Sequence, residues 1–353
     1  MHVRKLLFLL TALLCVSALS AQDIHFTQFY MSPMTMNPSM AGKFEGTVRI
    51  GGIYRGQWSS VVGGGDSYKT PSLFVDAPII RGIRKQDWIG VGLTFFSDKA
   101  GELGLKHSAA KLGATYHLAL GKKRTTVLSL GGQYGKVSRK LGDDRRYEDG
   151  YDPSGQYVPS ISQEGNVVDD TDYTDIDAGI NISAKLNKRM DFIFGYSMYH
   201  INEGKYSLVG RSDTGSTTPT NPTAGNAEIP RRSIIHGQFN AALDDRWSIN
   251  PAFQYMSMNG ADEIQIQALG GYLFNPEKDI TLNFGLGYRM RDALQVIAGM
   301  KYKDLRVGLA YDINTSDLNA ASNYRGGFEI AVNYIVKIYK PAVIKQKVLC
   351  PRF

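Results

Sequence analysis

The chain has 353 residues, with 40 Lys and Arg against 33 Asp and Glu, for a formal charge of +7. That excess is mild and dispersed, so nothing in it argues for nucleic acid. Two cysteines exclude a disulfide-dense scaffold, and no window approaches the run of about 18 apolar residues that a membrane helix needs. With 38 Gly and 20 Tyr, a soluble β protein or a membrane β-barrel remains.

The first predicted element is a secretory signal peptide over residues 1–21. Arg4 and Lys5 precede an apolar run from Leu6 to Val16, and small residues follow from Ser17 to Ala21. The run is too short and too early to span a membrane. Its removal takes two bases and no acid, which lowers the formal charge from +7 to +5. It also takes Cys15 and leaves Cys350 without an intramolecular partner, so no disulfide staples the exported chain.

Residues 22–45 form a leader ahead of the strands. Its core, DIHFTQFYMSPMTMNPSMAG from Asp23 to Gly42, has neither a helical nor a strand period. Proline-interrupted apolar backbone cannot sit in lipid, where its N–H and C=O groups would lack partners. Phe26, Phe29, Tyr30, Met31, Met34 and Met36 are also too large an apolar set to leave in water. Two placements stay open: a plug in a barrel lumen, or a segment docked on a partner protein.

Residues 46–336 alternate with period two. In DITLNFGLGYRM, Ile280, Leu282, Phe284, Leu286, Tyr288 and Met290 share one face, and Thr281, Asn283, Gly285, Gly287 and Arg289 the other. DIDAGINISAKL and RGGFEIAVNYIV repeat the pattern. Such segments exceed the usual globular strand of about five or six residues and match the nine to eleven or so of a tilted membrane strand. Fourteen are predicted, near 46–58, 69–80, 87–97, 105–120, 124–140, 174–186, 190–201, 229–243, 246–258, 263–274, 279–290, 293–302, 305–315 and 325–336. The even number puts both chain ends on the same side.

The connections sort by parity. After even-numbered strands they are RGIRKQ, GKK, NKR, DD, NPEK and KD, all short. After odd-numbered strands they include SVVGGGDSYK, long stretches over 141–173 and 202–228, and SDLNAASNY, although those near Asn259 and Arg291 are short. Short turns on one side and longer loops on the other mark an outer-membrane barrel. Trp247, Tyr255, Tyr272 and Phe274 suit interfacial girdles. The expectation is an all-β, 14-stranded antiparallel transmembrane barrel of the outer membrane, with both termini periplasmic.

No catalytic or metal motif stands out. The exported chain has His25, His107, His117, His200 and His236, with no HExxH and no GxSxG elbow. His200 reads as an interfacial or loop-rim side chain. The acidic run over 164–177, with Glu164, Asp169, Asp170, Asp172, Asp175 and Asp177, reads as a solvated loop, with calcium as the sharper option. No enzyme activity and no cofactor are expected. The tail, residues 337–353, carries Lys337, Lys340, Lys345, Lys347 and Arg352 without an acid, and is either a plain terminus or a periplasmic partner contact.

FTQFYMSPMTMNPSMAG, then GTVRIGGIYRGQWSSV and YKTPSLFVDAPI, resemble the PorP/SprF family of the Bacteroidetes type IX secretion system. The positions that carry the resemblance are Gln28, Phe29, Pro33, Asn37, Pro38 and Gly42, then Tyr54, Arg55, Gln57 and Trp58, with CPRF at the end; Gly56 is a departure. The resemblance implies a 14-stranded barrel without catalytic residues that presents or anchors particular secreted cargo at the cell surface. Such cargo includes gliding adhesins and proteins with the second type of C-terminal sorting domain. It also implies contact with periplasmic secretion components through a peptidoglycan-binding lipoprotein, besides outer-membrane lipid. Candidate partner-binding residues are Phe26, Phe29, Tyr30, Pro33, Asn37, Pro38, Lys340, Lys345 and Arg352. The alternative from the residues themselves is a 14-stranded porin or hydrophobic-solute channel, suited to Gly- and Asn-rich inward faces. An outer-membrane hydrolase is a third class, disfavoured by the missing motifs.

Overall fold

The computed structural model describes residues 23–58, 68–84, 86–101, 104–121, 125–142, 150–158, 161, 170–206, 227–317 and 319–338. The expected signal peptide lies outside these residues, as do Lys340, Lys345, Arg352 and most of the long connections.

Among the described residues, sixteen strands are formed: β1 (Val48–Gln57), β2 (Tyr68–Arg81), β3 (Trp88–Ala100), β4 (Leu105–Leu120), β5 (Thr126–Lys140), β6 (Asp170–Lys185), β7 (Met190–Tyr199), β8 (Lys205–Tyr206), β9 (Ala227–Glu228), β10 (Arg232–Ala242), β11 (Trp247–Met258), β12 (Ala261–Asn275), β13 (Ile280–Arg289), β14 (Ala293–Tyr302), β15 (Leu305–Asn314) and β16 (Arg325–Val336). All but β8 and β9 pair antiparallel with their neighbours into one closed 14-stranded barrel, and β16 closes on β1 with Val48 opposite Val336. β8 and β9 pair only with each other, a small ladder in a connection where the residue pattern predicts no strand. β6 also starts earlier than expected, so Asp170 and Asp172 belong to a strand, opposite Lys140 and Ser138 of β5.

The alternation is that of a barrel turned toward lipid. Leu112, Leu130 and Leu286 are more than 60% exposed, whereas Gln265 and Gln295 are fully buried. Along β16 the apolar Phe328, Ile330, Val332 and Tyr334 face out, and Glu329 and Asn333 face in. A water-soluble sandwich would invert this, because its apolar faces must meet each other. Trp247 and Tyr272 lie side by side at the short-turn end, with ring centroids 4.7 Å apart, as an interfacial girdle requires.

Short turns gather at one mouth and the long connections at the other. β1 begins and β16 ends at the short-turn mouth. Asp23 contacts Arg232 and His200, so the leader's first described residue lies at the long-loop mouth, opposite the start of β1. The physical reason is that the leader finds its partners along the inner wall and runs the length of the barrel before β1 begins.

Candidate functional site

The leader occupies the lumen, and each stretch of it is held by inward-facing residues of different strands. Asp23 sits within 3.0 Å of both Arg232 Nη1 and His200 Nε2. Burial alone would raise the pKa of its carboxyl; the Arg232 guanidinium, then His200, outweigh that and hold it well below the usual carboxylate range. His200 Nδ1 faces Asp175 at 2.8 Å, and Lys111 Nζ lies 2.5 Å from Asp175 and 2.7 Å from Asp177. A chain of alternating charge thus runs from the leader's first described residue into β6 and β4.

One turn further along, Thr27 is clamped. Its N–H and that of Gln28 donate to the Glu329 carboxylate at 2.5 and 2.9 Å, and its hydroxyl donates to Asp312 at 2.7 Å. Gln265 and Gln267 donate to its carbonyl at 2.8 and 2.6 Å. Arg55 donates to the His25 carbonyl at 3.0 Å, while its guanidinium pairs with Asp312 at 3.0 Å and Glu329 at 3.2 Å. Arg289 completes the ring on Asp312 at 3.0 Å. The arginine of the YRGQW stretch thus neutralises the two acids that grip the leader. Its neighbour Tyr54 points outward, and Gly56 shares that outward face.

The prolines and Asn37 shape the turns. Pro33 and Pro38 each open a short helical turn, where a missing N–H costs nothing. Asn37 Oδ1 accepts from the Ser39 N–H and hydroxyl, and its amide N–H groups reach the carbonyls of Ile180 and Tyr196 and the His236 ring at 3.0–3.2 Å. Every polar atom of that buried amide is used. Phe26 packs with Met31, Ile53 and Ala331, and Phe29 with Met36 and Ala252. Tyr30 lies between these clusters.

At the exit, His117 donates from Nε2 to the Ala41 carbonyl, and Trp88 Nε1 donates to the Gly42 carbonyl at 3.0 Å. Gly42 is in the left-handed region at φ 70, and a Cβ on Gly90 would stand 2.0 Å from the Ala41 oxygen. Leader and wall touch backbone to backbone there, which only glycine permits. A Cβ on Gly179 would likewise meet Asn37 Oδ1 at 2.0 Å. Burial pushes Lys43 down to about 7, and its ammonium donates to Asn181 and Ser129.

The structure therefore brings together Phe26, Phe29, Tyr30, Pro33, Asn37 and Pro38, but against the inner wall. A partner reaches them only if the leader leaves the lumen. His200 is a buried lumen residue rather than a rim side chain, with both ring nitrogens facing carboxylates. Asp175 and Asp177 hold Lys111, and with His200 they are the described group whose atoms lie close enough to share a metal ion. That set does not fit calcium, because a lysine ammonium already occupies the space between the carboxylates. Glu164 and Asp169 lie outside the described residues. Sequence reasoning missed Arg232, Arg289, Asp312 and Glu329. The available signal was an ionisable residue inside each of several membrane-length strands, tolerable only when paired away from lipid.

Among the described residues, two sizeable cavities flank the leader. One, of about 450 Å³, lies at the long-loop mouth beside Asp23–His25; the other, of about 400 Å³, lies toward the short-turn mouth between Gln28–Met31 and β10 to β15.

Comparison with known proteins agrees with this architecture. The family model described as type IX secretion system membrane protein PorP/SprF matches residues 18–334. No curated protein matches. Among solved structures, the chain is similar to the CymD monoaromatic hydrocarbon channel (TM-score 0.50, 11% identity, 88% of this chain and 93% of that one). It is also similar to the Ralstonia pickettii toluene transporter TbuX (TM-score 0.51, 11% identity, 91% and 95%). At such identity the likeness is one of fold, that of outer-membrane barrels. With nearly all of its length matched, the chain belongs to the PorP/SprF family of type IX secretion system membrane proteins.

Proposed function

We propose that this protein is a non-enzymatic outer-membrane accessory of type IX secretion that presents or anchors specific exported proteins at the cell surface. These would include adhesins or proteins with the second type of C-terminal sorting domain. The observation that carries this reading is the occupied lumen. A pore selected for flux would not fill its bore with buried ion pairs and a 20-residue leader. An attachment barrel needs a sealed bore and a recognisable mouth, and loops at a barrel mouth are where recognition sits. In this reading the long-loop mouth faces the medium, and the basic tail with Lys340, Lys345 and Arg352 meets periplasmic secretion components.

The test compares the surface and medium proteomes of strains with and without the gene. Loss of one or a few large exported proteins from the surface, with other secretion intact, is the expected result. Unchanged exported proteins together with reduced solute uptake would reject this reading.

The second reading is a hydrophobic-solute channel, and one observation favours it. The ladder between β10 and β11 is interrupted between the pairs Gln238–Ala252 and Ala241–Ile249, beside Pro251, which has no N–H to donate. An apolar groove of about 360 Å³, lined by Phe192, Phe194, Phe239 and Phe253, lies outside this seam, and the short-turn cavity lies inside. Gln238 and Ala252 line both. Uptake of an apolar solute by the wild type, and its loss on filling the seam with Ala252→Phe, would favour the channel.

A further inference from the structure

The long-loop cavity is lined by the leader's Asp23 and His25 and by wall carboxylates that the leader does not use. Five carboxylates and two guanidinium groups line it, and the aromatic rings of Trp58 and Tyr68 lie on the same lining. Three of those acids are Asp98, Asp262 and Glu263. Glu263 is the informative one. It is only 8% exposed, and its Oε1 makes no hydrogen bond. Its nearest cationic neighbours, His25 Nδ1 and Arg289 Nε, are both 3.7 Å away, beyond hydrogen-bond distance. Arg289 is committed to Asp312 and Asp292 at 3.0 and 2.6 Å. Burial, then Arg55 and Arg289, push the His25 imidazole well below its ordinary value, so Arg289, 3.7 Å away and without a hydrogen bond, is the cation that faces Glu263. A buried carboxylate with an unmade hydrogen bond is costly unless something arrives to make it.

The lining suits an organic cation. Among the described residues, the acid and imidazole atoms close enough to share an ion are those of Asp175, Asp177 and His200, none of which lines this cavity. Carboxylates spread around about 450 Å³ suit a planar or tetrahedral organic cation, with aromatic faces beside it. Trp58, which closes the YRGQW stretch, is held at φ 61, a backbone region that a bulky residue seldom occupies. Asp262 and Arg291, both exposed, form part of the rim, so entry is from the long-loop side.

We propose that this cavity receives an arginine or lysine side chain of the exported protein held at the barrel mouth. The source of the side chain rests on the function proposed above; the cation chemistry rests on the cavity alone.

The experiment titrates the purified full chain in detergent with N-acetylarginine amide, using N-acetylglutamine amide as the neutral control, by calorimetry. Binding of the arginine probe alone is expected, weakened about tenfold or more by Glu263→Gln, the loss of one charge-assisted hydrogen bond. Because Glu263→Gln sits near Arg289 and can disturb the leader, the rim variant Asp262→Asn and the aromatic variant Trp58→Leu are measured alongside, each expected to weaken binding. Equal binding of both probes, or binding indifferent to all three variants, overturns the proposal. In cells, Glu263→Gln should release the same exported proteins that gene deletion releases. Lost probe binding with an unchanged surface proteome overturns the exported chain as the source. A gene deletion that itself leaves the surface unchanged is a failure of the proposed function and not of the cation site.

Discussion

Arg55 shows how a membrane protein can hold charges in its interior. The guanidinium is 1% exposed and touches two carboxylates, each of which also grips leader backbone or its Thr27 hydroxyl. Removing one partner of such a set leaves like charges buried together. Arg55→Leu is expected to cost about 3–5 kcal/mol, read as a lowered urea midpoint of the folded, heat-modifiable band. The conservative Arg55→Lys should recover only part, since one ammonium cannot fork to both acids. Lys43 sets a pH dependence. Its folded value of about 7 lies below the ordinary 10.5, so the unseated leader binds a proton that the seated one does not. Seating is then strongest above 10.5, weakens as pH falls toward 7, and is level below that. Asp23 adds a separate acidic window: its contribution is present above the ordinary 3.8 and is lost as pH falls through its lower folded value. Amide exchange of residues 23–42 measured between pH 7 and 9.5 should quicken toward 7 in the wild type, once the intrinsic pH dependence of exchange is divided out, and flatten in Lys43→Met. An unaltered slope in the variant would assign the dependence elsewhere.

At the scale of elements, leader and wall are fitted to one another. The strands present glycine where the leader backbone or an amide comes close, and polar side chains where its carbonyls and N–H groups need partners. Gly179→Leu places a branched side chain where Asn37 Oδ1 now lies, so the leader must shift while the outward face of β6 is untouched. In planar bilayers the wild type is expected to be nearly closed. Gly179→Leu should show frequent openings, and deletion of residues 23–42 should give a stable, larger conductance. A deletion that stays closed and loses a co-purifying protein would instead make the leader a docking element. Several of the inward-facing glycines, Gly90, Gly131, Gly179 and Gly308 among them, leave room for the leader.

For the whole molecule the governing solvent is lipid. Strands of 10 to 16 residues expose apolar side chains around the circumference and gather buried carboxylates, amides and guanidinium groups inside. Phe284, in the middle of β13, is 61% exposed on that outer face. Phe284→Arg is expected to cost about 2–4 kcal/mol if it lies near the bilayer midplane, measured by folding into vesicles. The same substitution in a water-soluble protein, at a site so exposed, would be nearly neutral, which makes the variant a direct reading of the environment.

Strand number, strand bounds to within a few residues and the sorting of short and long connections were legible in the residues, because period-two alternation and turn chemistry are local and each strand repeats them. Asn37, the two prolines and Gly42 were legible as a motif, and Arg55 and Trp58 as another. Their purposes were not. Arg55 meets Asp312 across 257 positions of sequence and Thr27 meets Glu329 across 302. No periodicity reports which inward charge will face which. Only closing the barrel brings β16 beside β1, creates an interior narrow enough for opposite walls to share one leader, and so decides that the leader runs from the long-loop mouth at Asp23 along the inner wall.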